Sequence, residues 1–193
     1  MKAPTLGILG GGQLAKMTAQ AASRLGVETT IVERSADCPA RAVASHCIVG
    51  DWNDPAVALR LAAAVDVVTL ESEFVELEVL RAVEASGRPL FPSASTLALI
   101  QDKFAQKQTV ASAGLPVADA AAVDSPDDVR RLGSEFGWPL VLKRRRNAYD
   151  GKGNATVRDP AGVAAAWAAL SGGPGQLYVE RFVPFSCELA VIV

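Results

Sequence analysis

Short hydrophobic runs rich in Val, Ile and Leu alternate along the chain with longer stretches in which apolar residues recur every third or fourth position, a pattern that predicts alternating strands and helices. Residues 5–9 predict a first strand. The three glycines Gly10, Gly11 and Gly12 turn the chain, and helical spacing runs from Gln13 to Leu25. Gly26 lies just past that helix, where a left-handed residue ends it, and residues 29–32 make a second strand closed by Glu33. Such a strand-helix-strand unit is parallel and right-handed. A third strand is expected at 47–49, a helix from Pro55 to about Ala64 capped by Asp54, a fourth strand at 66–70, a helix at 76–86 and a brief strand at 89–91. The first hundred residues therefore read as one doubly wound layer structure.

The second half has a different rhythm. Ser95 predicts the cap of one helix running unbroken through Lys103 and Lys107 to about Ala113, where Gly114-Leu115-Pro116 stops it. Ser125, Pro126 and Asp128 open another helix that ends near Gly137. Residues 138–142 predict a buried strand that carries Lys143 at or near its end, and 155–157 another. Asp159 and Pro160 start an alanine-rich helix ending at Leu170, and strands follow at 176–180 and 188–193. The last apolar run has no turn or polar tail after it, which suggests a piece of a longer protein. The expected fold class is α/β: a Rossmann-like parallel-sheet domain over 1–100, then the first part of an α+β domain over 101–193.

Half of the 193 residues are hydrophobic, enough for a sizeable core, and the net charge is −2. Basic residues dominate only the run from Lys143 to Arg146, so a broad nucleic-acid footprint is not expected. Cys38, Cys47 and Cys187 lie far apart and His46 is the single histidine, so neither a disulfide framework nor a zinc site is indicated. No apolar run approaches the length of a membrane span and no signal-like segment opens the chain, which reads as cytoplasmic.

The candidate chemistry centres on Leu142-Lys143-Arg144-Arg145-Arg146-Asn147-Ala148-Tyr149-Asp150-Gly151-Lys152-Gly153-Asn154. An apolar strand delivers a lysine and opens into a loop whose glycines let backbone N–H groups approach a ligand, as a polyphosphate requires. A solvated basic hairpin turn is the equal alternative, and the stretch is not a P-loop, which needs Gly-x-x-x-x-Gly-Lys-Ser/Thr. Gly10, Gly12 and Ala15 also satisfy the dinucleotide pattern, with Glu33 23 residues after Gly10 (33 − 10) where a ribose-binding carboxylate sits. The same glycines at a helix N-terminus would receive any phosphate. Glu71 and Glu73 follow the fourth strand, at the end of the sheet where ligands gather; an exposed acidic loop is the other reading. Lys103 and Lys107 share a helix face, either solvated or turned into a nucleotide cleft.

Taken in order, Gly10-Gly11-Gly12-Gln13-Leu14, Ile100-Gln101-Asp102-Lys103, Gln106-Lys107, Gly114-Leu115-Pro116, Leu142-Lys143, Tyr149-Asp150-Gly151-Lys152-Gly153-Asn154, Glu180-Arg181-Phe182-Val183 and Glu188-Leu189-Ala190 resemble the N-terminal half of the 5-(carboxyamino)imidazole ribonucleotide synthases. These are ATP-grasp enzymes of purine biosynthesis, the ATPase subunit of phosphoribosylaminoimidazole carboxylase. The resemblance implies a pre-ATP-grasp domain followed by the N-terminal part of an ATP-grasp domain. It implies ATP, bicarbonate and 5-aminoimidazole ribonucleotide as substrates, carboxyphosphate as intermediate, and a homodimer.

By the same resemblance Lys103 and Lys143 contact ATP phosphates, and Ala148, Tyr149, Asp150, Gly151, Lys152, Gly153 and Asn154 form a lid. Glu180, Arg181, Phe182 and Val183 read adenine, and Glu188 binds ribose. Gly12, Gln13, Leu14 and Glu73 face the ribonucleotide, and Tyr149, Asp150 and Lys152 approach the reacting centre. Many relatives carry a glycine pair before the tyrosine where this chain has Asn147-Ala148. The Mg²⁺ ligands of the family belong beyond Val193, so these residues alone are not expected to turn over. The rival classes are an NAD(P)-dependent oxidoreductase built on the 10–15 turn, another ATP-grasp ligase, and a non-catalytic nucleotide-binding piece.

Overall fold

The computed structural model describes residues 3–148 and 153–191. The chain divides into two compact units, Met1–Ile100 and Gln101–Val193.

In the first unit, β1 (Thr5–Leu9), α1 (Gln13–Arg24), β2 (Glu28–Glu33), β3 (His46–Val49), α2 (Pro55–Ala64), β4 (Val67–Leu70), α3 (Leu77–Ala85) and α4 (Ala94–Gln101) follow one another. The strands form a parallel sheet in the order β3-β2-β1-β4. Leu9 is in register with Val32 and Ile8 with Ile31, so each neighbouring pair contributes one row of side chains to each face. Leu9 and Val32 join Leu61, Val68, Leu80 and Val83 beneath α2 and α3. Ile8 and Ile31 pack with Ala15 of α1 and with Ala40. Burial on both faces is what fills these strands with apolar residues.

The expected strand at 89–91 is reduced to a single parallel bridge between Leu90 and Val68. The cap of α4 is Ser93 rather than Ser95, with its hydroxyl accepting from the Thr96 N–H at 3.1 Å.

In the second unit, α5 (Lys103–Ser112), β5 (Ala120–Val123), α6 (Pro126–Phe136), β6 (Leu140–Arg144), β7 (Asn154–Val157), α7 (Val163–Ala169) and β8 (Leu177–Arg181) build an antiparallel sheet in the order β5-β8-β6-β7. Leu140, Leu142, Leu177 and Val179 line one face and bury against Val129 and Leu132 of α6 and Val163 of α7. Strand periodicity then forces Val141, Lys143, Tyr178 and Glu180 to the opposite face.

Two further expectations fail, and one strand was not expected. The single helix predicted over 95–113 is two, because Asp102 leaves helical geometry (φ −106°, ψ 99°) and caps α5 with its own side chain. The strand predicted at 188–193 does not form over its described residues, 188–191, where no neighbouring strand offers a ladder and Leu189 and Val191 lie exposed. Finally, β5 was not foreseen: Ala-Ala-Ala-Val has little strand propensity, and its pairing with β8 at the sheet edge supplies what the sequence does not.

Candidate functional site

The features that concentrate chemistry lie on the second unit's sheet face opposite α6 and α7. Lys143 and Tyr178 stand side by side in register, as do Val141 and Glu180. The Lys143 ammonium lies 3.3 Å from Glu180 Oε2 and 5.9 Å from the Tyr178 ring centre. Lys107, one turn into α5, places its ammonium 3.3 Å from Glu180 Oε1 and donates to the Ala118 carbonyl at 3.2 Å. Two lysines therefore share one carboxylate, all three largely withdrawn from solvent, and the group keeps a net positive charge. The helix face carrying Lys107 is accordingly not a solvated one.

Phe104 of α5 packs on Tyr178 with ring centres 5.4 Å apart, giving an apolar floor beside the cations. Burial first, and then the Glu180 charge and hydrogen bond, push the Tyr178 hydroxyl well above the ordinary tyrosine range, so it stays protonated.

Beside this cluster sits Asp102, almost fully buried. Its Oδ1 accepts from the Phe104 and Ala105 N–H groups, each at 3.1 Å, and from Arg145 Nε at 3.1 Å; its Oδ2 accepts from Arg145 Nη2 at 2.7 Å. Arg146 approaches the same oxygen at 3.4 Å. Burial opposes ionisation of this carboxyl, but hydrogen bonds from Arg145 and Ala105 and the charges of Arg145 and Arg146 outweigh it and hold the group below the usual aspartate range. Of the four consecutive cations read from the sequence, Arg145 and Arg146 are thus partners of Asp102.

The loop after β6 is closed by the Arg144 N–H donating to the Gly153 carbonyl at 2.8 Å. Gly153 has φ +95°, and a Cβ there would meet that of Ala148 at 2.7 Å, so this position admits only glycine without strain. Ala148, Gly153 and Asn154 are described, with Asn154 in register with Lys143. Tyr149, Asp150, Gly151 and Lys152 lie outside the described residues.

Lys103 opens α5, half-buried, with its N–H donating to the Arg145 carbonyl at 2.8 Å. Arg181 ends β8 and pairs with Asp119 at 2.9 Å, whereas Phe182, Val183 and Glu188 follow as exposed chain outside any helix or strand. The structure thus gathers Lys143, Lys107 and Glu180 tightly. It sets the Lys103 backbone against the residue that follows β6, and it leaves the 182–188 segment open. Sequence reading missed Lys107 as a partner of Glu180, although its i, i+4 spacing from Lys103 was visible, and it missed the Asp102–Arg145 pair, whose members are 43 positions apart.

The glycine turn of the first unit is a second candidate. The Gly11 N–H donates to Glu33 Oε2 at 3.0 Å and the Gly12 N–H to Glu71 Oε2 at 2.6 Å. A Cβ on Gly12 would run into the Glu71 carboxylate, so the turn and the end of β4 fit together only through glycine. Glu33 also accepts from its neighbour Arg34 N–H at 2.7 Å. The Gly11 and Gly12 amides that would cradle a pyrophosphate already donate to two carboxylates and are not free to receive one. Gln13 and Leu14 are exposed at the start of α1 and Glu73 is half-buried after β4. Titration with NADH is accordingly expected to give no saturable fluorescence change, and saturation at micromolar cofactor would restore the dinucleotide reading.

Among the described residues no three His, Cys, Asp or Glu side chains converge to hold a metal ion, and no helix is long and apolar enough to cross a membrane.

Comparison with known proteins bears on both units. The ribonucleotide synthetase preATP-grasp domain family matches residues 1–101 and the ATP-grasp domain family residues 108–193. Phosphoribosylaminoimidazole carboxylase of Ogataea methanolica is 42% identical over 198 residues, covering 100% of this chain and 36% of that protein. N5-carboxyaminoimidazole ribonucleotide synthase of Brucella melitensis is 39% identical, covering 97% of this chain and 52% of its own length. The crystal structure of N5-carboxyaminoimidazole synthase from Aspergillus clavatus with ADP and 5-aminoimidazole ribonucleotide superposes with a TM-score of 0.85 at 30% identity, over 95% of this chain and 48% of that one. The chain spans between about a third and a half of the length of these relatives.

Proposed function

We propose that this chain, which belongs to the ATP-grasp enzymes with a ribonucleotide synthetase preATP-grasp domain and resembles the N-terminal half of the N5-carboxyaminoimidazole ribonucleotide synthases, contributes the ribonucleotide-side domain and the lysine-bearing part of the ATP site to an ATP-dependent carboxylation of 5-aminoimidazole ribonucleotide. A bicarbonate oxygen attacks the γ-phosphorus of ATP and ADP leaves. The exocyclic amine nitrogen then attacks the carboxyl carbon of carboxyphosphate, inorganic phosphate departs, and the amine gives up a proton. The observation that carries this reading is the pair of lysines, Lys143 and Lys107, held on Glu180 beside an aromatic floor.

In this reading Lys143 leaves Glu180 for the ATP phosphates and Lys103 joins it from the start of α5. Phosphoryl transfer consists mostly of positioning and charge neutralisation, so cations delivered by a strand and a helix start lower its barrier. Backbone groups of residues 180–183 take the adenine edge, and Glu188 the ribose hydroxyls. Residues 148–154 close over the phosphates and keep water from carboxyphosphate, with Tyr149, Asp150 and Lys152 nearest the reacting atoms. Gly12, Gln13, Leu14 and Glu73 face the ribonucleotide. Mg²⁺, which the resemblance implies, would neutralise charge on the triphosphate, and among the described residues no three His, Cys, Asp or Glu side chains converge to hold it. A cytoplasmic homodimer is the assembly the resemblance favours.

The test is ADP release by the full-length protein. Release that requires both bicarbonate and 5-aminoimidazole ribonucleotide is expected. Release equally fast without either substrate would overturn the assignment, as would dependence on a different amine.

A further inference from the structure

Arg145 touches three separate parts of the second unit. Its guanidinium grips Asp102 with two hydrogen bonds, at 3.1 and 2.7 Å, and lies 5.3 Å from the Phe104 ring centre. Its carbonyl accepts from the Lys103 N–H at 2.8 Å, and its own N–H donates to the Gln176 carbonyl at 2.9 Å, just before β8. One residue thus ties the first turn of α5, the end of β6 and the entry to β8.

The geometry points to Arg145 and Asp102 as a positioning pair that fixes the Lys103 end of α5 against the strand carrying Lys143. The inference rests on the proposed ATP role of those two lysines. Its basis is the chemistry of the contact. A guanidinium fork on a carboxylate fixes direction as well as distance, and here the same two residues are also joined through the backbone of Lys103. The Asp102 carboxylate caps α5, so any rotation of the helix start that would swing Lys103 away from β6 must break cap and fork together. An isolated surface ion pair would contribute little. This one is buried on the aspartate side and only about a quarter exposed on the arginine side.

The consequence is that Arg145 acts through Lys103, which separates a positioning role from mere support of the fold. Arg145→Gln and Lys103→Ala, alone and combined, are to be made in the full-length protein. Arg145→Gln is expected to raise KM for ATP by about tenfold with KM for the ribonucleotide within about twofold. In the Lys103→Ala background it should add less than about twofold, because contacts that act as a unit are not additive. Arg145→Lys, which keeps the charge but not the fork, should stay impaired. Hydrogen exchange should accelerate in Arg145→Gln at the amides of Lys103, Phe104 and Ala105.

Unchanged exchange at those amides would overturn the pair as a clamp, and so would full activity in Arg145→Lys. Effects of Arg145→Gln and Lys103→Ala that multiply, or a KM for ATP that does not move, would remove the route through Lys103. A wild-type protein that binds no ATP would instead sink the functional reading on which the inference stands, and the exchange data would still report on the clamp itself.

Discussion

Lys143→Ala in the full-length protein is expected to lower kcat/KM for ATP by about 100-fold or more while leaving ribonucleotide affinity within about threefold. The lysine sits inside β6, on the sheet face opposite the α6 and α7 core, and its ammonium is already aimed across Tyr178 at Glu180. Removing it takes away a cation carried on a strand within the cluster, the kind of group that stabilises charge developing on a transferred phosphoryl group. Folding should survive, because Glu180 keeps Lys107 as its partner and its carboxylate is not left unpaired. Steady-state kinetics with each substrate varied in turn, alongside a thermal melt, check this. Unchanged ATP kinetics would remove Lys143 from its role.

The second large effect is on stability. Asp102→Ala should destabilise the second unit by about 2–4 kcal/mol, since it deletes the cap of α5 and strands the Arg145 charge. Its pH dependence distinguishes the ionised carboxylate from simple packing. The native Asp102 carboxyl is held below its ordinary range, so folding is favoured by its ionisation. That contribution is whole above the unfolded pKa of about 4 and fades as pH falls through the lower native value. Asp102→Asn, which cannot ionise, should therefore lie furthest below wild type above about pH 5 and draw level with it in stronger acid. Chemical denaturation between about pH 3 and pH 6 measures the gap. A gap that stays constant with pH would mean that the carboxylate charge does not matter.

The parallel unit was largely legible because its signals are local. The glycines at 10–12, Gly26, and the cap Asp54 before Pro55 each declare a boundary within a few residues, and apolar runs in β1, β2 and β4 follow from burial on both faces. In the second unit the helix start at Ser125 was equally readable, whereas Asp159 caps a short 3-10 turn over Pro160–Gly162 and α7 begins only at Val163.

What escaped were features decided at a distance. A continuous apolar and polar rhythm across 95–113 gave no sign that Asp102 would leave the helix, because the reason lies in Arg145, reached only once β6 and α5 are adjacent. In the run from Lys143 to Arg146 only Lys143, at the strand end, was singled out, and the three arginines were left undistinguished. Strand alternation and the Asp102 carboxylate then set apart one cation of the run that faces Glu180 and two that hold the helix start. In the same way the Gly-x-Gly-x-x-Ala turn pointed to a dinucleotide, and only the folded chain brings Glu33 and Glu71 onto its amides.

The most direct test of the account is a crystal structure of the full-length protein with a non-hydrolysable ATP analogue. The triphosphate should lie within about 3.3 Å of the Lys143 ammonium, with the Lys143–Glu180 pair opened and the Asp102–Arg145 fork intact. A triphosphate seated on the Gly10–Gly12 turn, with Lys143 still on Glu180, would contradict it.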